Sequence, residues 1–450
     1  MTRVVRHIYF LGIGGIGMSA LARYFKHLGY LVSGYDLTPS MLTKQLEAEG
    51  LEIHYQEDIN RIPSNPEMVV YTPAIPPDNA ELVFCLKSGI PLIKRAALLG
   101  KISQEYTTIA IAGTHGKTSI TALVAHLLHH AGRNTTAFIG GIAKNYQTNL
   151  ILSDKTEFFV VEADEFDHSF LMLHPTIAVI SSMDADHLDI YENHAALILA
   201  FLQFSRQISP DGTLILQSRL KSHFAHFNKC LSYGIDNQAD LQAIHVRIRD
   251  HRFVFDIKHA DIKIKDICLQ VPGAHFIENA LAAVGVTLQL GLNAEEIKNG
   301  LNTFMGVERR FDIRINTDGL VYIDDYAHHP EEIRSTIAAI KTLYANKKIL
   351  GIFQPHLFSR TRDFAKEFAK SLEPLDTVVL LDIYPAREKP IAGITSNSIL
   401  KEMNHKDKSL VAKDDLFDFI KTHDFDVLLT MGAGDIGQLV TPIEQILKSC

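Results

Sequence analysis

Apolar and polar residues follow a repeating order along the chain, in which short apolar runs alternate with longer amphipathic stretches. Near the N-terminus, the apolar run "HIYFLG" is followed by a stretch with apolar residues at helical spacing, and "LVSGYD" comes next. Short apolar runs are typical of buried strands, and apolar residues three or four positions apart are typical of helices. This order of strand, helix and strand predicts an α/β fold with parallel, doubly wound sheets.

The same order recurs in two further series, which begin at "TTIAIAGTHGKTS" and at "GLVYIDDYAHHP". Between them, residues 240–270 alternate between apolar and polar positions, a pattern that predicts small antiparallel strands. We therefore predict three domains, at residues 1–102, 103–312 and 313–450. The first and third are expected to be Rossmann-like, and the central one is expected to carry the antiparallel β element.

Composition narrows the classes of function. The 450-residue chain has 44 basic and 52 acidic residues, and the resulting net charge of −8 argues against nonspecific nucleic-acid binding. The four cysteines are scattered, which predicts reduced thiols in a cytoplasmic protein. The N-terminal segment imitates a signal peptide, but glycines interrupt its apolar run. Because no apolar stretch is long enough to span a bilayer, we expect no membrane partner.

Two turns match the pattern G-x-G-x-x-G. The first contains Gly12, Gly14 and Gly17, and the second lies in "TMGAGDIGQL". Such a turn brings the backbone close to a diphosphate, but a tight strand–helix turn gives the same pattern. Asp36 ends the next predicted strand, where dinucleotide-binding domains have an acidic residue that meets a ribose. The first turn therefore predicts a nucleotide site, and its residues fit a nicotinamide dinucleotide or a UDP-linked ligand equally well.

A third turn, "AGTHGKTS", is a more specific signal for phosphate binding. Gly113, Gly116, Lys117 and Thr118 lie between an apolar strand and a helix, although Ile111 stands where the strict Walker pattern has glycine. In such a turn, backbone N–H groups and the helix N-terminus bind phosphate oxygens. The lysine reaches the β- and γ-phosphates, and the threonine hydroxyl ligates Mg²⁺. The central domain is therefore predicted to be a P-loop-type ATPase domain.

Acidic residues follow the next two predicted strands. Glu162 ends "FFVVE", whereas Asp184, Asp186 and His187 follow "AVISSM". Because the carboxyl ends of parallel strands meet at one edge of a sheet, these side chains are expected near the phosphate-binding turn. Mg²⁺ prefers oxygen ligands, so the carboxylates predict a magnesium site. On chemistry alone, His187 is the weakest candidate ligand.

Several segments together resemble the Mur ligase family, and the similarity covers nearly the whole chain. These segments are "GTHGKT", "VEADEFD", "DADHLDIY", "GVERRFD", "DDYAHHP" and "FQPHLFSRTRDF". The resemblance is greatest to the members that attach L-alanine to UDP-N-acetylmuramate. It implies an enzyme of peptidoglycan precursor synthesis that uses ATP and Mg²⁺ and acts on these two small molecules. We expect a cytoplasmic monomer or weak homodimer.

The resemblance also implies roles for residues at matching motif positions, with the UDP-sugar, and not NAD, in the first domain. The implied contacts to the UDP-sugar are Gly12, Gly14, Gly15, Gly17, Asp36 and Thr72. The implied ATP contacts are Gly113, Thr114, His115, Gly116, Lys117, Thr118, Ser119, Asn279, Arg310 and Asp325. The implied metal ligands are Thr118, Glu162 and His187, and the implied amino-acid contacts are Tyr326, His356 and Arg360. The implied catalytic residues are Lys117, Glu162, His187, His328 and Arg360.

Two positions depart from the family pattern. Phe276 stands where many members have asparagine, and its side chain cannot make polar contacts with a nucleotide. Leu357 stands where many members have arginine, which leaves Arg360 or Arg362 to bind the carboxylate of alanine.

The implied reaction activates a carboxylate. The lactyl carboxylate of the sugar attacks the γ-phosphorus of ATP, and the amine of alanine then displaces phosphate from the acyl phosphate. His328 or His356 is expected to assist the loss of the amine proton. Three alternatives remain at this stage: a ligase that joins a murein tripeptide to the same sugar, a nicotinamide oxidoreductase, and a non-catalytic nucleotide switch.

Overall fold

The computed structural model describes residues 6–186, 190–235, 238–386 and 388–449. Contacts divide the chain into two compact units. The first contains the residues up to 242 together with 258–262 and 279–300, and the second contains the rest. No helix within the described ranges is long and apolar enough to cross a membrane.

The N-terminal sheet is parallel and has the strand order β3-β2-β1-β4-β5. Its strands are β1 (His7–Leu11), β2 (Leu31–Tyr35), β3 (Glu52–His54), β4 (Met68–Tyr71) and β5 (Leu92–Lys94). Its helices are α1 (Ile16–His27), α2 (Met41–Ala48), α3 (Ala80–Lys87) and α4 (Arg95–Ser103). The strand order reverses at β1, and ligands of such sheets bind beyond the carboxyl ends of the strands at this switch point. The first glycine turn lies there.

The central sheet contains the order β13-β12-β11-β10-β6-β9-β7-β8, and β6 pairs in parallel with β9 and β10. Its strands are β6 (Thr107–Ala112), β7 (Thr135–Ala143), β8 (Thr148–Ile151), β9 (Phe158–Glu162), β10 (Ile177–Ile180), β11 (Thr213–Gln217), β12 (Cys230–Gly234) and β13 (Leu241–Arg249). The helices of this region are α5 (Lys117–His130), α6 (His194–Ser205), α7 (Ala274–Gln289) and α8 (Ala294–Thr303). The carboxyl ends of β9 and β10 therefore flank the turn that follows β6.

The alternating stretch forms the predicted antiparallel element. Strand β13 is followed by β14 (Arg252–His259) and β15 (Ile262–Cys268), and the three are neighbours in the order β15-β14-β13. Asp250 and His251 connect β13 to β14 and both have positive φ, at 51° and 56°. Two linking residues with positive φ are typical of a tight hairpin turn, which reverses the chain between adjacent strands.

The C-terminal sheet has the order β16-β17-β21-β18-β19-β20, in which only the β16–β17 pairing of the described strands is antiparallel. Its strands are β16 (Asp312–Asn316), β17 (Val321–Asp325), β18 (Ile349–Phe353), β19 (Thr377–Leu380), β20 (Lys408–Leu410) and β21 (Val427–Met431). Its helices are α9 (Pro330–Leu343), α10 (Phe358–Leu372), α11 (Asn397–Glu402), α12 (Leu416–Thr422) and α13 (Val440–Ser449). The three sheets confirm the three-domain α/β class, whereas the limits at residues 102 and 312 stay predictions.

The start of α9 illustrates how local sequence fixes an element. Pro330 occupies the first helical position, where its missing N–H is no loss. The Glu332 carboxylate accepts the backbone N–H of His329 at 3.2 Å, and the His329 ring accepts the N–H of Glu331. These bonds satisfy donors that the helix itself leaves unpaired. The helix therefore begins directly after the "DYAHH" segment and fixes where that segment ends.

The N-terminal and central sheets share one apolar core within the first unit. Helix α1 packs on β7 and β8, and the rings of Tyr24 and Phe138 lie 5.7 Å apart. Asn149 is fully buried at this contact and donates to Ile16 O at 2.6 Å and to Ser19 Oγ at 2.9 Å. Its carbonyl accepts from Arg23 Nη1 at 2.5 Å. Because both the nitrogen and the oxygen of this amide have hydrogen-bond partners, Asn149 links the two sheets in one specific arrangement.

Substitution of Asn149 by alanine should lower the free energy of unfolding of the first unit by about 1–3 kcal/mol, because it leaves buried polar partners unsatisfied. Urea denaturation followed by circular dichroism measures the change. Asn404→Ala, at an exposed position, is the control. Equal midpoints for the two variants would contradict the structural role of Asn149.

Candidate active site

The turn after β6 is a tight loop that only glycine can build at two positions. Gly113 and Gly116 have φ values of +132° and +82°, which residues with side chains rarely adopt. A Cβ at position 113 would lie 2.9 Å from the backbone nitrogen of Ser182, closer than real Cβ contacts come. Helix α5 begins at Lys117, directly after Gly116. Since Gly116 has no side chain to cap the helix, the backbone N–H groups at this terminus are available to bind an anion.

Two serines that follow β10 hold this loop in place. The Ser182 hydroxyl lies 2.9 Å from Thr114 Oγ1 and accepts the N–H of His115 at 2.8 Å. Ser181 Oγ donates to the carbonyl of His115 at 2.5 Å. Sequence reasoning missed both serines, although their position at the end of an apolar strand next to the loop strand was a usable signal. The loop is therefore fixed before any ligand binds.

The Lys117 side chain extends back toward the loop and is paired. Its ammonium donates to the Gly113 carbonyl at 2.8 Å and to both carboxylate oxygens of Glu165, at 2.8 and 2.9 Å. Burial by itself would lower the pKa of Lys117. The negative charges of Glu165 and Asp164 outweigh burial and raise that pKa above its ordinary value. The lysine is therefore a permanent positive charge at the start of α5.

Thr118 and Glu162 supply oxygen atoms beside the loop. Thr118 Oγ1 lies 3.3 Å from Glu162 Oε2, and Glu162 Oε1 accepts the backbone N–H of Gly140 at 2.5 Å. The next residue, Ser119, is buried in the first turn of α5. Register pairing places Ile111 of β6 opposite Glu162 of β9, which explains why a strand end brings this carboxylate to the loop. A hydroxyl and a carboxylate are suitable ligands for Mg²⁺.

The second acidic segment contributes two described contacts to the loop, both through Asp184. Asp184 Oδ2 lies 3.4 Å from His115 Nε2, and the backbone N–H of Asp184 donates to Thr114 Oγ1 at 3.1 Å. Asp186 is buried, and the predicted ligand His187 lies outside the described residues. Within the described ranges, no three His, Cys, Asp or Glu side chains form a metal-binding group.

Asn279 on α7 lies against the phosphate loop. A Cβ at position 116 would come 2.6 Å from Asn279 Oδ1, and the asparagine is buried. The structure therefore brings together Gly113, Gly116, Lys117, Thr118, Glu162 and Asn279 within the first unit. Contact of Asn279 with adenine stays a prediction.

The first glycine turn is equally tight. Gly12 has a φ of +86°, and a Cβ there would lie 2.8 Å from Thr72 Cγ2. The Asp36 carboxylate accepts the N–H of Gly14 at 2.7 Å, and Gly15 precedes the first residue of α1. Of the residues predicted to contact the UDP-sugar, Thr72 therefore lies beside Gly12, and Asp36 lies beside Gly14.

Arg95, which sequence reasoning missed, belongs to the same turn. Its Nη1 would lie 2.8 Å from a Cβ at Gly17, so the guanidinium covers the first turn of α1. Its signal in the sequence was its position directly after an apolar strand. Together with the helix N-terminus, this guanidinium gives the first glycine turn a positive potential.

In the second unit, the ring of Tyr326 lies close to two arginines. The guanidinium carbons of Arg309 and Arg310 are 5.2 and 4.9 Å from the centre of its ring. Arg309 also donates to Asp324 Oδ2 at 3.1 Å and to the carbonyl of Gly432, in the second glycine turn. That turn therefore has a structural role here. Cation–π contacts with two guanidinium groups restrict the Tyr326 ring.

Asp325 is buried at the end of β17. Its carboxylate accepts from Thr336 Oγ1 at 2.8 Å and from the N–H of Ala327 at 3.0 Å. Burial raises the pKa of Asp325 to about 6, and the hydrogen bond from Thr336 opposes this rise. The carboxylate does not cap α9, because His329 has that position.

Aromatic rings form a continuous row from Tyr326 to Tyr384. The ring centroids of Tyr326 and His328 are 5.3 Å apart, those of His328 and His356 6.0 Å, and those of His356 and Tyr384 5.8 Å. Tyr384 also flanks His356 through its backbone, since it donates to Pro355 O and accepts from Leu357 N. Sequence reasoning missed Tyr384, which lies far from His356 along the chain.

The two arginines that could bind a carboxylate differ in environment. Arg360 is buried in the first turn of α10, with 7% of its surface exposed. The Arg362 side chain is 53% exposed and bonds to its neighbour Asp363. Leu357, directly before α10, has a φ of +71°, an uncommon conformation for a residue with a side chain. Arg360 is therefore packed into the fold and Arg362 is not, and the contact of either with alanine stays a prediction.

Family models cover most of the chain. The model of the Mur ligase family catalytic domain matches residues 7–107, and that of the Mur ligase middle domain matches residues 111–287. The model of the Mur ligase glutamate ligase domain matches residues 309–434.

Known proteins are similar over the full length. A UDP-N-acetylmuramate–L-alanine ligase from Flavobacterium johnsoniae is 46% identical over 448 residues, 99% of this chain and 98% of that protein. The crystal structure of a UDP-N-acetylmuramate–alanine ligase from Thermotoga maritima has a TM-score of 0.84 at 28% identity, covering 98% of this chain and 99% of that one. A murein peptide ligase from Psychrobacter arcticus shares the fold, with a TM-score of 0.73 at 24% identity, and 99% of each chain is covered. The glycine loop and Lys117 follow β6, and Glu162 ends β9, as the sequence predicted. On the evidence of these matches, the chain belongs to the Mur ligase family.

Proposed function

We propose that this protein catalyses the ATP-dependent ligation of L-alanine to the lactyl carboxylate of UDP-N-acetylmuramate. The observation that carries the proposal is the preformed loop from Gly113 to Gly116, with Lys117 and Glu162 beside it. The relative that is 46% identical over nearly the whole chain carries the name of this activity. Family membership favours ligation over the nicotinamide oxidoreductase and nucleotide-switch alternatives.

ATP is proposed to bind with its phosphates at the start of α5. The N–H groups of the loop and the Lys117 ammonium would neutralise the phosphates, while Thr118 and Glu162 would hold Mg²⁺. Both are oxygen donors on one side of the loop, which fits this ion, and His187 is proposed as a further ligand. When bound, Mg²⁺ supplies positive charge for the phosphoryl oxygens. Asn279, Arg310 and Asp325 are proposed as further ATP contacts.

The other two substrates are assigned to the remaining sites. The first glycine turn, with Asp36, Thr72 and Arg95, is proposed to hold the UDP moiety. The row of rings in the second unit, with Arg360, is proposed to hold L-alanine. Arg360 would pair with the amino-acid carboxylate, since a guanidinium binds a carboxylate through two parallel hydrogen bonds.

The reaction needs charge neutralisation more than a nucleophilic side chain. The lactyl carboxylate oxygen attacks the γ-phosphorus, the bond to the β–γ bridging oxygen breaks, and ADP leaves. The amine of alanine then attacks the acyl carbon and phosphate leaves. The amine loses a proton, which His328 or His356 is proposed to accept. Lys117 acts in the first step by stabilising the charge on the transferred group.

A ligase for a murein tripeptide is the second candidate, because the Psychrobacter arcticus enzyme shares the fold over the whole chain. The alanine ligases share the fold as well, and their sequence identity to this chain, 46% and 28%, is higher than the 24% of the murein peptide ligase. This difference favours alanine as the substrate. A cytoplasmic location and a monomeric or weakly dimeric state are part of this proposal.

ADP release should depend on both UDP-N-acetylmuramate and L-alanine when a panel of amino acids and a tripeptide is tested. Lys117→Ala should lower kcat/KM by about 100- to 1000-fold, because a charge opposite the transferred phosphoryl group is lost. A coupled ADP assay measures both. Lys101→Ala, at an exposed position on α4, should behave as wild type. Turnover only with the tripeptide would overturn the substrate, and full activity of Lys117→Ala would overturn the site.

Glu162→Gln should raise the Mg²⁺ concentration for half-maximal activity by about tenfold or more, because a neutral amide is a weaker ligand for a hard cation. Magnesium titration of ADP release measures this change. The matched control is Glu157→Gln, at an exposed position just before β9. A similar magnesium requirement for all three proteins would remove Glu162 from the metal site.

Arg360→Lys should raise KM for L-alanine about tenfold or more and leave KM for ATP within about twofold, because lysine cannot reproduce the paired hydrogen bonds of a guanidinium. Steady-state kinetics with each substrate varied in turn separates the two constants. Arg362→Lys serves as control. Should the Arg362 variant alone lose affinity for alanine, the assignment of the carboxylate contact is wrong.

A further inference from the structure

Glu165 forms a buried ion pair with the lysine of the phosphate loop. Both carboxylate oxygens lie within 2.9 Å of Lys117 Nζ, and the Glu165 side chain is completely buried. The Lys117 side chain is 15% exposed. Its third close partner is the Gly113 carbonyl at 2.8 Å. The ammonium thus has three acceptors in the absence of a nucleotide, which equals the number of its N–H donors.

The segment around Glu165 is anchored independently of the lysine. The Glu165 carbonyl accepts from Tyr191 Oη at 2.5 Å and from the N–H of His168 at 3.1 Å. Asp167 and His168 have φ values of 53° and 54°, a conformation that residues with side chains keep only when their surroundings impose it. Phe170, at the end of the segment, is fully buried and stacks on Phe204. The backbone of Glu165 is therefore held in place by contacts other than the ion pair with Lys117.

We propose that Glu165 is a positioning residue that occupies the Lys117 ammonium in the nucleotide-free protein and competes with the nucleotide phosphate for it. This inference rests on the proposed function, in which Lys117 binds the β- and γ-phosphates. A phosphate that approaches Lys117 must share or displace a contact to Glu165 and comes close to its negative charge. The anchored segment keeps this carboxylate beside Lys117. The negative charge of Glu165 therefore lowers the affinity for ADP and eases the release of this product.

Glu165→Gln is the direct test, since glutamine keeps the shape and removes the charge. Calorimetric titration with ADP in the absence of Mg²⁺ should give a Kd about tenfold lower than wild type, because a like charge near the phosphates is gone. Glu165→Asp, which withdraws the carboxylate by one methylene, should bind ADP about threefold more tightly. Tighter binding is a result that mere damage to the fold would not produce.

Asp167→Asn is the matched control. This carboxylate lies two positions further along, is 40% exposed and faces Lys94, so its loss should leave the Kd for ADP unchanged. Thermal unfolding of each variant verifies that it is folded, and Glu165→Asp carries the test if Glu165→Gln does not fold.

Equal or weaker ADP binding by both Glu165 variants would overturn the proposal, as would equally tight binding by Asp167→Asn. A wild-type protein that binds ADP but shows no alanine-dependent turnover would contradict the proposed function instead.

Discussion

The close approach of the loop after β6 to the end of β10 is the constraint on which the site depends. No side chain fits at Gly113, because the backbone of Ser182 is too near. The two serines then fix Thr114 and His115 by hydrogen bonds. The helix that begins at Lys117 follows directly, so its N-terminus lies at the end of the loop. The backbone of this loop is thus fixed in advance, as an electrostatic catalyst requires of a proposed phosphate site.

The order of strands decides which side chains meet this loop. Strand β6 lies between β9 and β10, so Glu162 at the end of β9 and Ser181 just after β10 reach the same edge of the sheet. The first glycine turn obeys the same rule in the N-terminal sheet, where the order reverses beside β1. The places of both proposed ligand sites in the first unit therefore follow from parallel pairing and not from the loops alone.

Buried polar groups give each unit its specific geometry. Asn149 links α1 to the β7–β8 region and joins two sheets that could otherwise pack in several ways. In the second unit, Arg309 ties the Asp324 carboxylate to the Gly432 turn and supports the ring of Tyr326. These groups are satisfied by several partners each, so the loss of one partner is felt by the others.

Sequence alone determined the class of the fold and predicted which loop binds phosphate. Apolar periodicity predicted the strands and helices, and the spacing from Gly113 to Thr118 indicated phosphate chemistry, because both patterns reflect interactions between residues close together in the chain. The antiparallel element at residues 240–270 was likewise predicted from alternation and confirmed. Asp36 was expected beside the first turn from its place at the end of the next strand, and Thr72 from the family resemblance. The structure places them beside Gly14 and Gly12, and their contact with a ligand stays a prediction.

Only the tertiary structure decided which distant residues complete each site. Glu165 is 48 positions from Lys117, and Tyr384 and Arg95 reach His356 and Gly17 only after strands have paired. Arg360 and Arg362 are only two residues apart on α10, and their difference in burial depends on packing that no motif records. The physical reason is the same in each case: such contacts depend on strand order and packing, which join residues whose separation along the chain carries no periodic signal.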